Sequence, residues 1–334
     1  MIEDWTKAGS DSFAAMDHLF RPRFNKLRNL TGAGVLIGLV LTGCGGKASI
    51  SSNPPSSPTP APAGMPKSQH VVVVMEENQS YTSVAGNMSA WPHLNALIKA
   101  GALANNYFAD AHPSIPNYFM LTTGQVLTLD DSSTKAWDVD SIARRMLSAK
   151  MSFKVYAEGI KQGYVGGNTG LYVIRHNPFA MLSDVASSAQ VANQVIQPFP
   201  QFTTDAANKT LPAFSFIVPD LNDDAHNGTP QAADNWLQSN IVGPLAANPA
   251  FQAGGDGLLI VLFDESVNPD IANGGGHVAC VFWGPIVKAG YTQTTKGVYQ
   301  HQNLLRTIME VLSLSNPPGA AAPAVDMSEF FNLK

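Results

Sequence analysis

The sequence predicts an α/β sandwich built on a largely parallel sheet. Three observations predict it. Short apolar runs alternate with segments of helical spacing. The runs Val71–Val74 and Leu258–Phe263 are apolar at every position, as strands covered on both faces are. Carboxylates and histidines recur beside such runs, and open parallel sheets bind ligands at the carboxyl ends of their strands.

The amino terminus reads as an address. Arg21, Arg23, Lys26 and Arg28 form a positive stretch, and Leu30–Leu41 is an apolar run broken by Gly32, Gly34 and Gly38. A membrane-spanning helix needs about 20 apolar residues, so this run is too short. It ends in Leu41-Thr42-Gly43-Cys44, which resembles the bacterial lipobox, where the cysteine is lipidated. Residues 1–44 are thus expected to direct export, to the periplasm or cell surface, and to anchor the protein in a membrane through acyl chains on Cys44. A plain cleaved signal peptide or a buried helix is the alternative. Residues 1–15 precede the basic stretch, and translation is expected to begin at Met16. Residues 45–69 are rich in Pro, Ser and Ala with no apolar period, and read as a linker. The folded domain is expected over residues 70–334.

Within it, Val71–Val74 is the first strand. Trp91–Ala100 has helical spacing, and Ala102–Phe108 is a short strand. Ser114–Thr123 opens a helix whose first turn tolerates Pro116. Asp140 or Ser141 caps a helix through Met146 and Leu147. Phe153–Ala157, Ala213–Val218, Leu258–Phe263 and His277–Trp283 are further strands, and Gln302–Leu314 is a terminal amphipathic helix. Cys280, Trp137, Trp236 and Trp283 read as core. His176 and His93 lack sequence neighbours that would mark them as ligands.

Composition bounds the function. The chain has 334 residues, 45% of them hydrophobic, enough for a sizeable core. Only 13% are charged, against a usual quarter or so. The net charge is −5 and no basic run follows the amino-terminal region, which argues against nucleic acid as a partner. In so lightly charged a chain, the strand ends stand out. They carry Glu76-Glu77-Asn78, Asp220 to His226, and Asp264-Glu265, while Gly274-Gly275-Gly276-His277 precedes the last strand. Converging carboxylates and imidazoles are the usual donors to divalent cations, and adjacent acids such as Asp264-Glu265 repel without one. Ser114 lies between Pro113 and Pro116 at a helix start, where free N–H groups can receive an anion. An ordinary N-cap serine would look the same.

Taken in order, Glu77-Asn78-Gln79-Ser80, His112-Pro113-Ser114-Ile115-Pro116-Asn117, Asp223-Asp224-Ala225-His226, Asp264-Glu265 and His301 to Thr307 resemble the bacterial phosphoesterase family. That family holds acid phosphatases and phospholipases C within the alkaline-phosphatase superfamily. The resemblance implies an alkaline-phosphatase-like three-layer sandwich with a central, largely parallel sheet. It implies a divalent metal (Mg, Mn, Ca or Zn) on Glu77, Asn78, Asp264 and Glu265, and Ser114 as nucleophile. His226 and His277 are expected in catalysis, with His112, Asn117 and Asp224 binding the phosphate-ester substrate. His301 is expected to cap its helix or touch phosphate.

Two departures bear on substrate. The family often has Arg where this chain has Gln79. The chain also ends soon after its terminal helix, whereas the larger phospholipases C carry further β domains, which favours a phosphatase over a phosphodiesterase. A sulfatase would need Arg at the position of Tyr118, and an α/β-hydrolase would need Gly-x-Ser-x-Gly. A surface lipoprotein that holds a metal or anion without catalysis is the non-enzymatic alternative. Specificity is expected in the segments Asp130–Asp138 and Gly159–His176.

Overall fold

The computed structural model describes residues 64–333. The expected lipobox at Cys44, the start at Met16 and most of the linker lie outside the described residues. The ordered domain begins earlier than residue 70. Pro66 and Ser68 are buried, and the Ser68 N–H donates to the Val311 carbonyl at 3.0 Å. Burial of that short segment extends the domain into the expected linker.

One eight-stranded sheet forms the centre. Its strands are β1 (Val71–Glu76), β2 (Ala102–Phe108), β3 (Phe153–Ala157), β4 (Ile196–Pro198), β5 (Phe214–Val218), β6 (Leu258–Phe263), β7 (His277–Trp283) and β8 (Tyr291–Thr292). Their order is β4-β3-β5-β1-β6-β7-β2-β8. Strands β4, β3, β5, β1 and β6 run parallel, and β7 alone runs antiparallel to its neighbours β6 and β2. Every residue of β1, β5 and β6 is buried, so helices cover the sheet on both faces. This is the expected layered α/β architecture.

The topology places the chemistry. The carboxyl ends of β1, β5 and β6 lie side by side, since Glu76 pairs with Phe263 and Val74 with Ile217. Glu77, Asp224 and Asp264 follow these ends and so meet at one sheet edge. Backbone bonds tie them: the Glu77 N–H donates to the Asp224 carbonyl at 2.8 Å, and the Asp264 N–H to the Glu76 carbonyl at 3.0 Å. Because β7 runs backwards, its first residue, His277, reaches the same edge.

The helix Ser114–Thr123 is buried along its whole length. It stops at Gly124, whose φ of 66° is left-handed. A Cβ there would sit 2.4 Å from the Pro318 carbonyl oxygen, so the close approach of the carboxy-terminal segment also requires glycine. Ser141 caps Ile142–Ser148 by accepting from the Arg144 N–H. The terminal helix is His301–Val311, capped by Gln300 rather than by His301. Cys280 is fully buried in β7.

Candidate active site

Ser114 is the first residue of its helix and is buried. Its Oγ donates to Glu77 Oε2 at 3.0 Å. Asn78 Nδ2 donates to the same oxygen at 2.9 Å. Asn78 itself has a φ of 53°, a conformation asparagine tolerates better than most residues. That turn brings its backbone N–H to Asp264 Oδ1 at 2.9 Å. The Tyr118 hydroxyl donates to Glu77 Oε1 at 2.5 Å, so the residue standing where a sulfatase has arginine is a brace for Glu77.

His176 was missed by sequence reasoning and is central. Its Nε2 lies 3.0 Å from Glu77 Oε1, and its Nδ1 lies 3.1 Å from Asp224 Oδ2. The ring stacks on Tyr118, with centroids 5.2 Å apart. Burial works against a charge on His176, but the two carboxylates prevail and hold its pKa up at about 9. Burial likewise pushes Glu77 up, yet His176 and the bonds from His176 and Tyr118 hold it at about 2. The expectation that His176 has no functional neighbours is therefore corrected. Its partners lie far off in sequence, and its one visible sign was its place at the end of the Gly159–His176 segment.

The acids beyond this pair are strained electrostatically. Asp264 is raised well above the carboxylate range by burial, then by Glu77 and Glu265. Its Oδ2 is buried with no hydrogen-bond partner. Glu265 is pushed up to about 8 by burial, Glu77 and Asp131, with Arg175 and His176 opposing. One of its oxygens, Oε2, lies 2.7 Å from His112 Nδ1. An orphaned carboxylate oxygen between repelling acids is the environment a hard cation stabilises. Asp264 and Glu265, beside Glu77 and the Ser114 hydroxyl, therefore have the repulsion and the free oxygen that a divalent ion would relieve. Among the described residues, the acid and histidine side chains at this site whose ligand atoms already lie close enough together to hold one are Glu77, His176 and Asp224, not the expected Glu77, Asp264 and Glu265.

Several expected residues serve other ends. Asn117 is fully buried; its Oδ1 accepts from the Asp110 and Ala111 N–H groups, and its Nδ2 donates to the Ala111 and Pro113 carbonyls. It braces the loop before Ser114 and has no group left for substrate. His112 donates through Nε2 to the Asp270 carbonyl at 2.8 Å and orients Glu265 with its other nitrogen. His277 stacks between Tyr81 and Phe108 and donates through Nε2 to the Asn105 carbonyl. Burial lowers its pKa, which disfavours the charged ring. It lines a cavity of about 360 Å³ with Ser80, Tyr81, Thr82, Val267, Pro269 and Asp270.

His226 is exposed at the mouth. Its Nδ1 pairs with Asn227 Oδ1 at 2.8 Å and its Nε2 faces Arg175 Nη2 at 3.3 Å. Arginine only donates, so Nε2 accepts. The ring nitrogens of His226 face Arg175 and Asn227, and Nε2 of His277 faces the Asn105 carbonyl, rather than the Ser114 hydroxyl. His301 donates to the Asp264 carbonyl and accepts from the Tyr107 hydroxyl, which places it beneath the site, away from phosphate. The first-turn N–H of Ile115 is taken by Asp131 Oδ1 at 3.0 Å rather than left free. The acidic motif after β5 divides: Asp224 joins the site, while Asp220 and Asp223 gather with Glu158 in a separate group.

The sheet, the carboxylate cluster at its edge and the similarities that follow mark a hydrolase of phosphoric esters. More narrowly, the chain belongs to the Phosphoesterase family, whose sequence profile matches residues 89–315. It is 31% identical over 258 residues to the phosphatidylinositol-3-phosphatase of Mycobacterium tuberculosis, covering 76% of this chain and 80% of that protein. It is 31% identical over 212 residues to a probable acid phosphatase of Kluyveromyces lactis, covering 60% of this chain and 48% of that one. The chain thus spans about half the length of that yeast phosphatase. Among solved structures, the lipoteichoic acid synthase LtaP of Listeria monocytogenes superposes with a TM-score of 0.57 at 11% identity, over 81% of this chain and 78% of that one. An alkaline-phosphatase-superfamily protein of Vibrio parahaemolyticus gives 0.52 at 12% identity, over 79% and 72%. At such identities the likeness shows the fold alone.

Proposed function

We propose that this protein is an exported, membrane-tethered, metal-dependent phosphatase that cleaves phosphate monoesters through Ser114. The observation that carries the reading is the contact between the Ser114 hydroxyl and Glu77, beside the unpartnered oxygen of Asp264. A binding protein has no need of a buried serine fixed on a carboxylate cluster. That the similar proteins from Mycobacterium and Kluyveromyces are called phosphatases supports monoesters over diesters.

A divalent ion bound by Glu77, Asn78, Asp264 and Glu265 would lower the pKa of a nearby hydroxyl and offset phosphoryl charge. Glu77 holds the Ser114 proton in a hydrogen bond and fixes the direction of the Oγ lone pairs. Attack forms the Oγ–phosphorus bond and breaks the bond to the leaving alcohol in line with it, the Ser114 proton passing to solvent as the departing oxygen takes one up from water. Water then cleaves the phosphoserine and restores the hydroxyl. Tyr118 and His176 hold Glu77 in place throughout.

Release of p-nitrophenol from p-nitrophenyl phosphate, lost on chelation and restored by Mg, Mn, Ca or Zn, is the expected result. Cleavage of bis-p-nitrophenyl phosphate alone would make the protein a phospholipase C-type diesterase. No turnover of either would favour a metal- or anion-binding lipoprotein. Among the described residues no helix is long and apolar enough to cross a membrane. The tether proposed here is acylation of Cys44. Labelled palmitate should enter the full chain and fail to enter Cys44→Ala.

A further inference from the structure

We propose that Arg175 is the group that grips the phosphoryl oxygens in this site, as a fixed cation beside its carboxylates. The inference rests on the phosphatase reading and adds the residue that recognises the anion. A phosphate dianion approaching Ser114 meets Glu77, Asp264, Glu265, Asp224 and Asp131. A single bound divalent ion would leave that wall negative, so a fixed positive group is required nearby.

The other candidates are committed. Gln79 is neutral, and its Oε1 accepts from the Ser83 hydroxyl at 3.2 Å. His176 has both nitrogens against carboxylates. Arg144 pairs with Asp138 and Asp184, Arg145 with Asp140, and Arg306 with Glu310.

Arg175 is different. It precedes His176 in a short 3₁₀ turn, so the contacts that fix His176 also fix its backbone. Its side chain is only 15% exposed, yet Nε is buried with no hydrogen bond. The nearest carboxylate, Asp131, lies 3.7 Å from Nε, beyond hydrogen-bond range. Nη2 reaches only Nε2 of His226, at 3.3 Å. Asp131 in turn holds the N–H of Ile115, the residue after the nucleophile. The guanidinium thus lies across Asp131 from the N–H of the residue after Ser114, with its buried Nε donor unused. Unused buried donors cost stability unless a ligand takes them, and a planar fork matches two phosphoryl oxygens.

The test compares the full chain, its Arg175→Gln variant and its Arg175→Lys variant in two ways. One is kcat/KM on p-nitrophenyl phosphate. The other is the binding of inorganic phosphate by calorimetry, which does not require turnover. Arg175→Gln should lose about 10²–10³-fold in kcat/KM and weaken phosphate binding at least tenfold or so, with an unchanged melting temperature. Arg175→Lys, which keeps charge but not the fork, should fall between. If Arg175→Gln fails to fold, Arg175→Lys alone decides. Phosphate binding within about twofold of wild type in the folded variant overturns the proposal, as does an activity loss that leaves phosphate binding intact. Absence of turnover in the wild type would instead sink the phosphatase reading, and phosphate binding would still judge Arg175.

Discussion

Glu77 and His176 lie 3.0 Å apart, both buried, although the first follows a strand and the second closes a long loop. This contact joins the two halves of the site. One half carries Ser114, Asn78 and Asp264 on Glu77; the other carries Asp224 on His176. Replacing His176 with Ala leaves two buried carboxylates facing each other without a cation. Breaking a buried pair in this way costs about 3–5 kcal/mol. Urea unfolding of His176→Ala should show a loss of that size, and a loss below about 1 kcal/mol would mean that the imidazolium is not holding the acids.

A pH dependence follows from His301. Burial pushes its pKa down to about 4, against about 6.5 in an unfolded chain. Between those values the unfolded chain binds the additional proton. The stability His301 contributes is therefore fully present above pH 6.5 and lost as pH falls toward 4, by up to about 1.4 kcal/mol per pH unit. His301→Gln should flatten the pH dependence of urea stability between pH 7 and 5. An unchanged slope would show that the fold does not hold the His301 pKa below its unfolded value.

Metal and fold should be linked through Asp264. A cation that relieves its buried, unpartnered oxygen stabilises the folded state by mass action, about 2.7 kcal/mol at a hundredfold excess over Kd. The wild-type melting temperature should rise with added divalent ion and fall on chelation. Asp264→Asn should lose both this response and turnover. A variant that melts higher with metal as before would remove Asp264 from the ligand set.

Much of this was legible in the chain. Strands β2, β3, β6 and β7 and the helix Ser114–Thr123 have the expected bounds, because apolar runs in a covered parallel sheet and a proline-marked helix start are local signals. Strands β4 and β8 were not expected. They span three and two residues, too few to show a period. The meeting of Glu77, Asn78, Ser114 and Asp264 was expected from the ordered motifs. The parts of Arg175, His176 and Tyr118 were not, since each acts on a partner distant in sequence. The reverse error has the same origin. His226, His277 and Asn117 lie in the right motifs, but their hydrogen-bonding groups are turned to local backbone and neighbours, which spacing does not reveal.

The most direct test of the account is to quench the working protein in acid and examine the peptide containing Ser114 by mass spectrometry. Turnover of p-nitrophenyl phosphate should leave one phosphoryl group on Ser114, and Ser114→Ala should show neither the adduct nor turnover, with the fold intact. Sustained hydrolysis by Ser114→Ala, or an adduct on another residue, would contradict a serine nucleophile held by Glu77.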